Sequence, residues 1–464
     1  MKKLKIMSAS IVIVGIILAI MISTSLLISC TQVKEESPTY ISNVVHPDWS
    51  KNAVIYEVNV RQYTPEGTLK AFEEHLPRLK EMGVDILWLM PINPIGLENR
   101  KGGMGSYYSV KDYKAVNPEF GTMQDFKDLV NKAHELGMYV ILDWVPNHSS
   151  WDNALVEEHP EYYEKDSLGN LFSPYDWTDV VQLDYSNPEL RRYMTDALKF
   201  WINEANIDGY RMDVAYKVPV NYWNDATAEL RELKDVFMLA EAEQADHHDY
   251  AFDMSYGWEL HHIMNQIAKG EANANALREY FAKNDTVFPQ NSYRMYFTSN
   301  HDENSWKGSE FERMGDAYEA LAVFTYTSPG MPLIYSGQEA GLDKKLRFFE
   351  KDTIIWDDLS YQEFYKKLGQ LKKSNKALEQ GSAGGKFIPL KNTQEEKVYS
   401  YLREKGGNKV LTILNFSDQP ISYRFEDKKA TGIYKDYFSG EEMKVEFGEQ
   451  INMEPWQYII LIKN

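Results

Sequence analysis

The stretch FKDLVNKAHELGMYVILDWVPNH runs from Phe126 to His148. Its first part sets Phe126, Leu129, Val130 and Ala133 at the spacing of one helix face, with polar residues between them. Phe126–Met138 therefore reads as an amphipathic helix that stops at Gly137. Tyr139–Val145 then follows as a nearly unbroken apolar run, the mark of a strand buried on both faces. A helix feeding such a strand belongs to a parallel sheet covered by helices.

The same alternation extends outward in both directions. Upstream stand NAVIYEVNV (Asn52–Val60) and VDILWLMPI (Val84–Ile92), and downstream IDGYRMDV, VFMLAEAE, AFDMSY, SYRMYFTSN and PLIYSG. About eight strands over roughly three hundred residues predict a (β/α)8 TIM barrel. The barrel is expected over residues 47–148 and 181–378. Polar, aromatic residues 149–180 break the rhythm and predict a short excursion domain after strand three. A Gly/Ser-rich joint, EQGSAGGKF (Glu379–Phe387), ends the barrel. Alternating runs about Gly406-Gly407 then predict a C-terminal antiparallel β-sandwich domain over 384–464.

Bulk properties limit the function classes. The 464 residues are 43% hydrophobic and 26% charged, with a net charge of -19. That composition is globular, and the acidic balance opposes nucleic-acid binding. The N-terminus opens MKKLK, continues apolar from Ile6 to Ile28, and reaches LISC at Cys30, the only cysteine. A basic start, an apolar run and small residues before a cysteine predict a lipoprotein signal peptide over 1–30, with a lipid on Cys30. Residues 31–46 then read as a polar tether, so the protein is expected to be exported and membrane-anchored, facing the periplasm or on the cell surface. An uncleaved apolar anchor would give the same sidedness.

Charged residues gather where barrel strands end. They are Asp143, Asn147 and His148 after strand three, Arg211 and Asp213 on strand four, Glu241 and Glu243 after strand five, and Asn300, His301 and Asp302 after strand seven. Arg211 and Asp213 stand two apart and so share a strand face. Several carboxylates in one mouth repel one another, which keeps one of them protonated near neutrality. An acid beside an ionised carboxylate is what glycosidic cleavage needs. Metal-assisted hydrolysis is the competing chemistry. The adjacent pairs His247–His248 and His261–His262 argue little for it, because neighbours rarely face one site.

These strings resemble the α-amylase family of retaining glycoside hydrolases. LDWVPNH, GYRMD, LAEAE and SNHDEN are similar to four of its motifs in order, and GSYYSVKDYKAVNPEFGT and PGMPLIYSGQEAG to two further stretches. The resemblance implies Asp213 as nucleophile with Arg211 keeping it ionised, Glu241 as acid/base, and Asp302 binding sugar hydroxyls in the distorted state. It implies Tyr108 as a stacking ring, His148 and His301 as donors to the sugar, and Arg211 as a further substrate-binding residue, with Asp143 and Asn147 as supports. Tyr107 stands where the family usually has glycine. Lys217 replaces a histidine that often ligates calcium there, so no metal or other cofactor is expected. The implied partner is an α-glucan, cut mainly at α-1,4 bonds in maltooligosaccharides or starch. A glucosyl-transferring or isomerising enzyme, or a catalytically silent glucan-binding lipoprotein, would carry most of the same residues.

Overall fold

A computed structural model describes residues 40–463. The expected signal peptide with Cys30 and most of the expected tether lie outside the described residues. Eight parallel strands close a barrel: β1 (Ile55–Val58), β2 (Ile86–Leu89), β3 (Tyr139–Trp144), β4 (Gly209–Met212), β5 (Phe237–Ala240), β6 (Met254–Tyr256), β7 (Tyr293–Phe297) and β8 (Met331–Tyr335). Each pairs with the next, and β8 pairs with β1. Alternate residues take opposite sides of the barrel wall. Ile55, Ile86, Trp88, Ile141, Phe237 and Leu239 join one buried cluster inside. Their neighbours Tyr56, Leu87, Val140 and Met238 join the core under the helices.

The inward face changes character along each strand. Ile141 is followed by Asp143, Gly209 by Arg211 and Asp213, and Leu239 by Glu241. The period of two thus carries an apolar plug into a charged mouth without any change of fold. Gly209 has φ +149°, and a Cβ there would stand 1.9 Å from the Phe237 carbonyl oxygen, so the strands close only around glycine at this layer.

The helix expected at 126–138 spans Met123–Glu135. A capping box starts it, in which Thr122 and Asp125 satisfy each other's backbone N–H groups, four residues before its apolar stripe begins. The excursion is tied by a ribbon, His148–Ser150 antiparallel to Val180–Gln182, with a short helix at Ala154–Glu158 between them.

Six antiparallel strands and a facing two-stranded ribbon (Ile421–Arg424 with Gln450–Met453) form the C-terminal domain. Gly406 and Gly407, at φ +56° and +93°, make the hairpin turn between Val398–Lys405 and Asn408–Asn415. Leu411, Ile413, Tyr423 and Met453 fill the space between sheet and ribbon. The sheet's other face meets the barrel helix Tyr318–Thr327, where Phe324 lies 5.8 Å from Tyr399 and 6.1 Å from Tyr401.

Residues 42–46, read from sequence as the end of the tether, are bonded to the barrel. Ser42 N donates to Asn291 Oδ1 at 2.7 Å. His46 bonds Asp253 Oδ1 and the Asn291 carbonyl, each at 2.8 Å, and stacks on Tyr293. Asp253 and Asn291 precede β6 and β7, so this segment sits at the end of the barrel away from the charged mouth.

Candidate active site

Arg211 organises the mouth. Its strand neighbour in register is Asp143, and its guanidinium is fully buried. Nη1 donates to Asp143 Oδ1 at 2.8 Å and to Asp213 Oδ1 at 2.9 Å, and Nη2 donates to Glu241 Oε2 at 2.8 Å. Nε donates to the Tyr256 hydroxyl at 3.2 Å. Three carboxylates therefore share one cation. Expected from the sequence among the substrate-binding residues, Arg211 has no exposed side-chain surface, and its donors are turned to the three carboxylates and Tyr256.

The two carboxylates keep one oxygen each for chemistry. Glu241 Oε2 also accepts from Val214 N at 2.7 Å, so among the described residues Oε1 is left without a donor. Asp213 Oδ2 is left likewise. Val214 has φ +40°, a costly conformation for a β-branched residue, and it turns the N–H toward Glu241. Burial pushes the Asp213 carboxyl well above the usual carboxylate range; Arg211 pulls it down, while Glu241, Asp143 and Asp302 push it further up. Asp143 rises to about 6, again through burial against the pull of Arg211 and His301. Arg211 thus favours the ionised form of Asp213, as expected, against burial and the neighbouring carboxylates. One guanidinium facing this many carboxylates leaves a proton bound among them.

His301 is fixed from behind by Glu57 on β1. Glu57 takes the imidazole at Nδ1 and the His301 backbone N–H, the latter at 3.2 Å. Nε2 of His301 meets the Tyr108 hydroxyl at 2.9 Å, and that hydroxyl donates to Asp143 Oδ2 at 3.0 Å. Trp88 Nε1 also donates to Asp143 Oδ2, at 3.2 Å. Burial opposes charge on His301, but Asp302 and Glu57 outweigh it and raise the imidazole to about 9. His301 is thus cationic at neutral pH. Burial lowers His148 to about 4, so that ring is neutral. Asn147 Nδ2 lies 3.2 Å from its Nδ1, which puts the ring proton on Nε2.

Tyr108, His148, Asp213, Glu241, His301 and Asp302 all line one cleft of about 560 Å³. Asp302 is followed at once by the π-turn Glu303–Lys307, held by Glu303 Oε2 on His261 Nε2 at 3.0 Å. Trp177, Tyr216, Trp306 and Phe348 add aromatic walls.

Several residues escaped the reading of the sequence. Glu57 is a lone acid in the apolar run of β1, the same signal that marked Asp143, but it has no motif around it. Trp177, Trp306 and Phe348 sit in loops without periodicity. Elsewhere, Glu243 accepts from Arg294 at 2.9 Å, and Tyr107 is buried and donates to Asn59 Oδ1 at 2.9 Å. His247 and His248 turn to separate partners, Asp246 and Ser255. Asn147 and Gln182 pair through both amides, at 3.0 and 3.3 Å. Lys217 lies over the Tyr175 ring at 5.0 Å.

Known proteins agree with this geometry. Residues 42–170 and 166–378 match the family described as "Alpha amylase, catalytic domain", and residues 389–460 match "Maltogenic Amylase, C-terminal domain". Alpha-amylase MalA of Haloarcula japonica is 26% identical across 81% of this chain, which spans 57% of that relative's length. Alpha-amylase 3 of Dictyoglomus thermophilum is 26% identical across 88% of this chain and 94% of its own. Among solved structures, the noncanonic maltogenic alpha-amylase AmyB from Thermotoga neapolitana superposes with a TM-score of 0.83 at 31% identity, covering 89% of this chain and 99% of that one. With the barrel, the shared guanidinium and the carboxylates of the mouth in place, the chain belongs to the alpha-amylase family.

Proposed function

We propose that the protein is a retaining glycoside hydrolase that cleaves α-glucosidic bonds, mainly α-1,4, in maltooligosaccharides or starch fragments. The observation that carries this reading is Arg211 holding Asp213 and Glu241 on adjacent nitrogens at the floor of the cleft, with one oxygen of each left free. Asp213 Oδ2 attacks the anomeric carbon while the glycosidic C–O bond breaks. The proton retained among the carboxylates passes from Glu241 Oε1 to the leaving oxygen. Water then gives a proton back to Glu241 and its oxygen to the sugar, which frees Asp213. Asp302 and the cationic His301 hold sugar hydroxyls, and neutral His148 donates from Nε2. Arg211 stays charged throughout and lowers the cost of each charge shift.

Calcium is not required in this reading. The Asn147 side-chain oxygen Oδ1 already accepts from Gln182, and Lys217 lies over Tyr175, so the groups at that point do not fit the ion. Excess chelator is expected to leave melting temperature and turnover within experimental error, and a large loss of either would overturn the point. Export and a lipid on Cys30 are supported by the MKKLK start, the apolar run and LISC. Mass spectrometry of the peptide beginning at Cys30, from protein recovered in membranes, tests them.

Product analysis tests the central reading. The protein lacking its first 40 residues would be incubated with maltoheptaose, β-cyclodextrin, pullulan and isomaltose, beside an Asp213→Asn control. Shorter maltooligosaccharides from the unsubstituted protein alone are expected. Longer or rearranged products would make it a transferase or isomerase. Binding without turnover would make it a silent glucan binder.

A further inference from the structure

Trp456 holds a backbone conformation that its side chain disfavours. Gln457 N donates to the Glu454 carbonyl at 3.2 Å, which closes a turn with Pro455 second and Trp456 third. Trp456 has φ +53°. A turn with proline second and positive φ third ordinarily takes glycine or asparagine at that third position. The ring is only half-buried, and its indole N–H meets no acceptor among the described residues. The ring packs against the edge of the main apolar core and leaves its other part open, and strain kept at such a half-open ring is a pointer to function.

Two grooves, of about 710 and 280 Å³, meet at this ring between the barrel and the C-terminal domain. Half-buried Phe311, Tyr361 and Tyr458 wall the larger one. Its ionisable acids are Asp316, Glu319 and Glu454, and no lysine, arginine or histidine lines it. Glu319 already orients the Tyr458 hydroxyl, at 2.9 Å. No residue of either groove lines the catalytic cleft.

In the larger groove, flat rings beside carboxylate acceptors, with no cation, suit a neutral polyhydroxylated chain, while Lys269 and Lys397 line only the smaller one. The chain's C–H faces lie on the rings and its hydroxyls donate to the acids. The acids of the larger groove repel anionic chains. We propose that the groove around Trp456 is a second α-glucan-binding site, which holds a polymeric chain while the cleft cuts it. The choice of glucan rests on the reading of the cleft given above.

The test uses Trp456→Gly and Trp456→Asn, both suited to positive φ, with Trp456→Phe as the conservative change. Affinity for soluble starch is read by gel retardation in an Asp213→Asn background, where the ligand survives. The glycine and asparagine variants are expected to lose starch affinity at least fivefold, with phenylalanine keeping part of it. They should melt no lower than the parent and, with Asp213 restored, cleave maltoheptaose at the parent rate. A clearly lower melting temperature would make the ring structural, and unchanged starch affinity would leave the groove without a glucan; either overturns the proposal. Failure of the unsubstituted protein to cleave maltoheptaose would instead overturn the reading of the cleft. Starch retention that depends on Trp456 would then still stand for the groove.

Discussion

Glu241 has one oxygen tied to Arg211 and Val214 and, among the described residues, the other without a donor, which is where the proposed acid role puts its proton. Glu241→Gln keeps the size and the tied oxygen and removes that proton. Turnover of unactivated glucans is expected to fall by about 10²–10⁴-fold. Glucosyl fluoride, whose leaving group needs no proton, should keep most of its rate; equal losses on both would remove Glu241 from the acid role. Glu57 acts one step further back, through His301. Because His301 sits at about 9 in the fold, above its ordinary ~6.5, its stabilising contribution is complete below the unfolded value. That contribution is lost as pH rises through about 9. In Glu57→Gln the alkaline loss of stability and of activity should begin at lower pH, with a cost at neutrality of about 1–3 kcal/mol. Melting curves across pH 6–10 would decide it, and superimposable pH dependence in parent and variant would show that Glu57 does not set the charge on His301.

Among the elements, β4 places the most chemistry in the fewest residues, and Gly209 is what lets it close on β5. A Cβ 1.9 Å from the Phe237 oxygen cannot be relieved by turning a side chain, because the obstacle is backbone. Gly209→Ala is therefore expected to cost upwards of about 4 kcal/mol, the range of severe core lesions. A urea midpoint within the range of surface substitutions would mean that the strands can part at this layer. The same strand explains what was legible beforehand. Arg211, Asp213 and Glu241 each interrupt an apolar run at a strand end, so period and polarity located them before any coordinates. The start of the helix at Met123 was less visible, since its capping box lies ahead of the apolar stripe. The loops that bring Trp177, Trp306 and Phe348 to the cleft have no period to read. Their placement depends on the barrel closing, a contact between residues far apart in sequence. The sharing of Arg211 among three carboxylates was hidden for that reason too.

For the molecule as a whole, the C-terminal domain is a second cover for the barrel as well as a sandwich of its own. Its large sheet has one face on the ribbon, through Leu411 and Ile413, and the other on Phe324. Tyr401 adds a hydroxyl contact to Thr327 Oγ1 at 2.6 Å. Buried Arg403 reaches back to the carbonyl oxygens of Glu379 and Gly385, at 3.1 and 3.2 Å. An interface with an aromatic centre and buried polar bonds of this kind should make both parts unfold together. Phe324→Ala removes the ring at that centre, and cutting a buried phenylalanine to alanine costs about 3–5 kcal/mol. Because the ring belongs to the barrel helix but contacts the sheet, the loss should uncouple the two parts as well as lower their stability. Calorimetry is expected to give one transition for the unsubstituted protein and two for the variant, with the sandwich separating from the barrel. A single transition merely shifted down would place the ring's contribution inside the barrel, and the domain would then be a passenger on it rather than part of its cover.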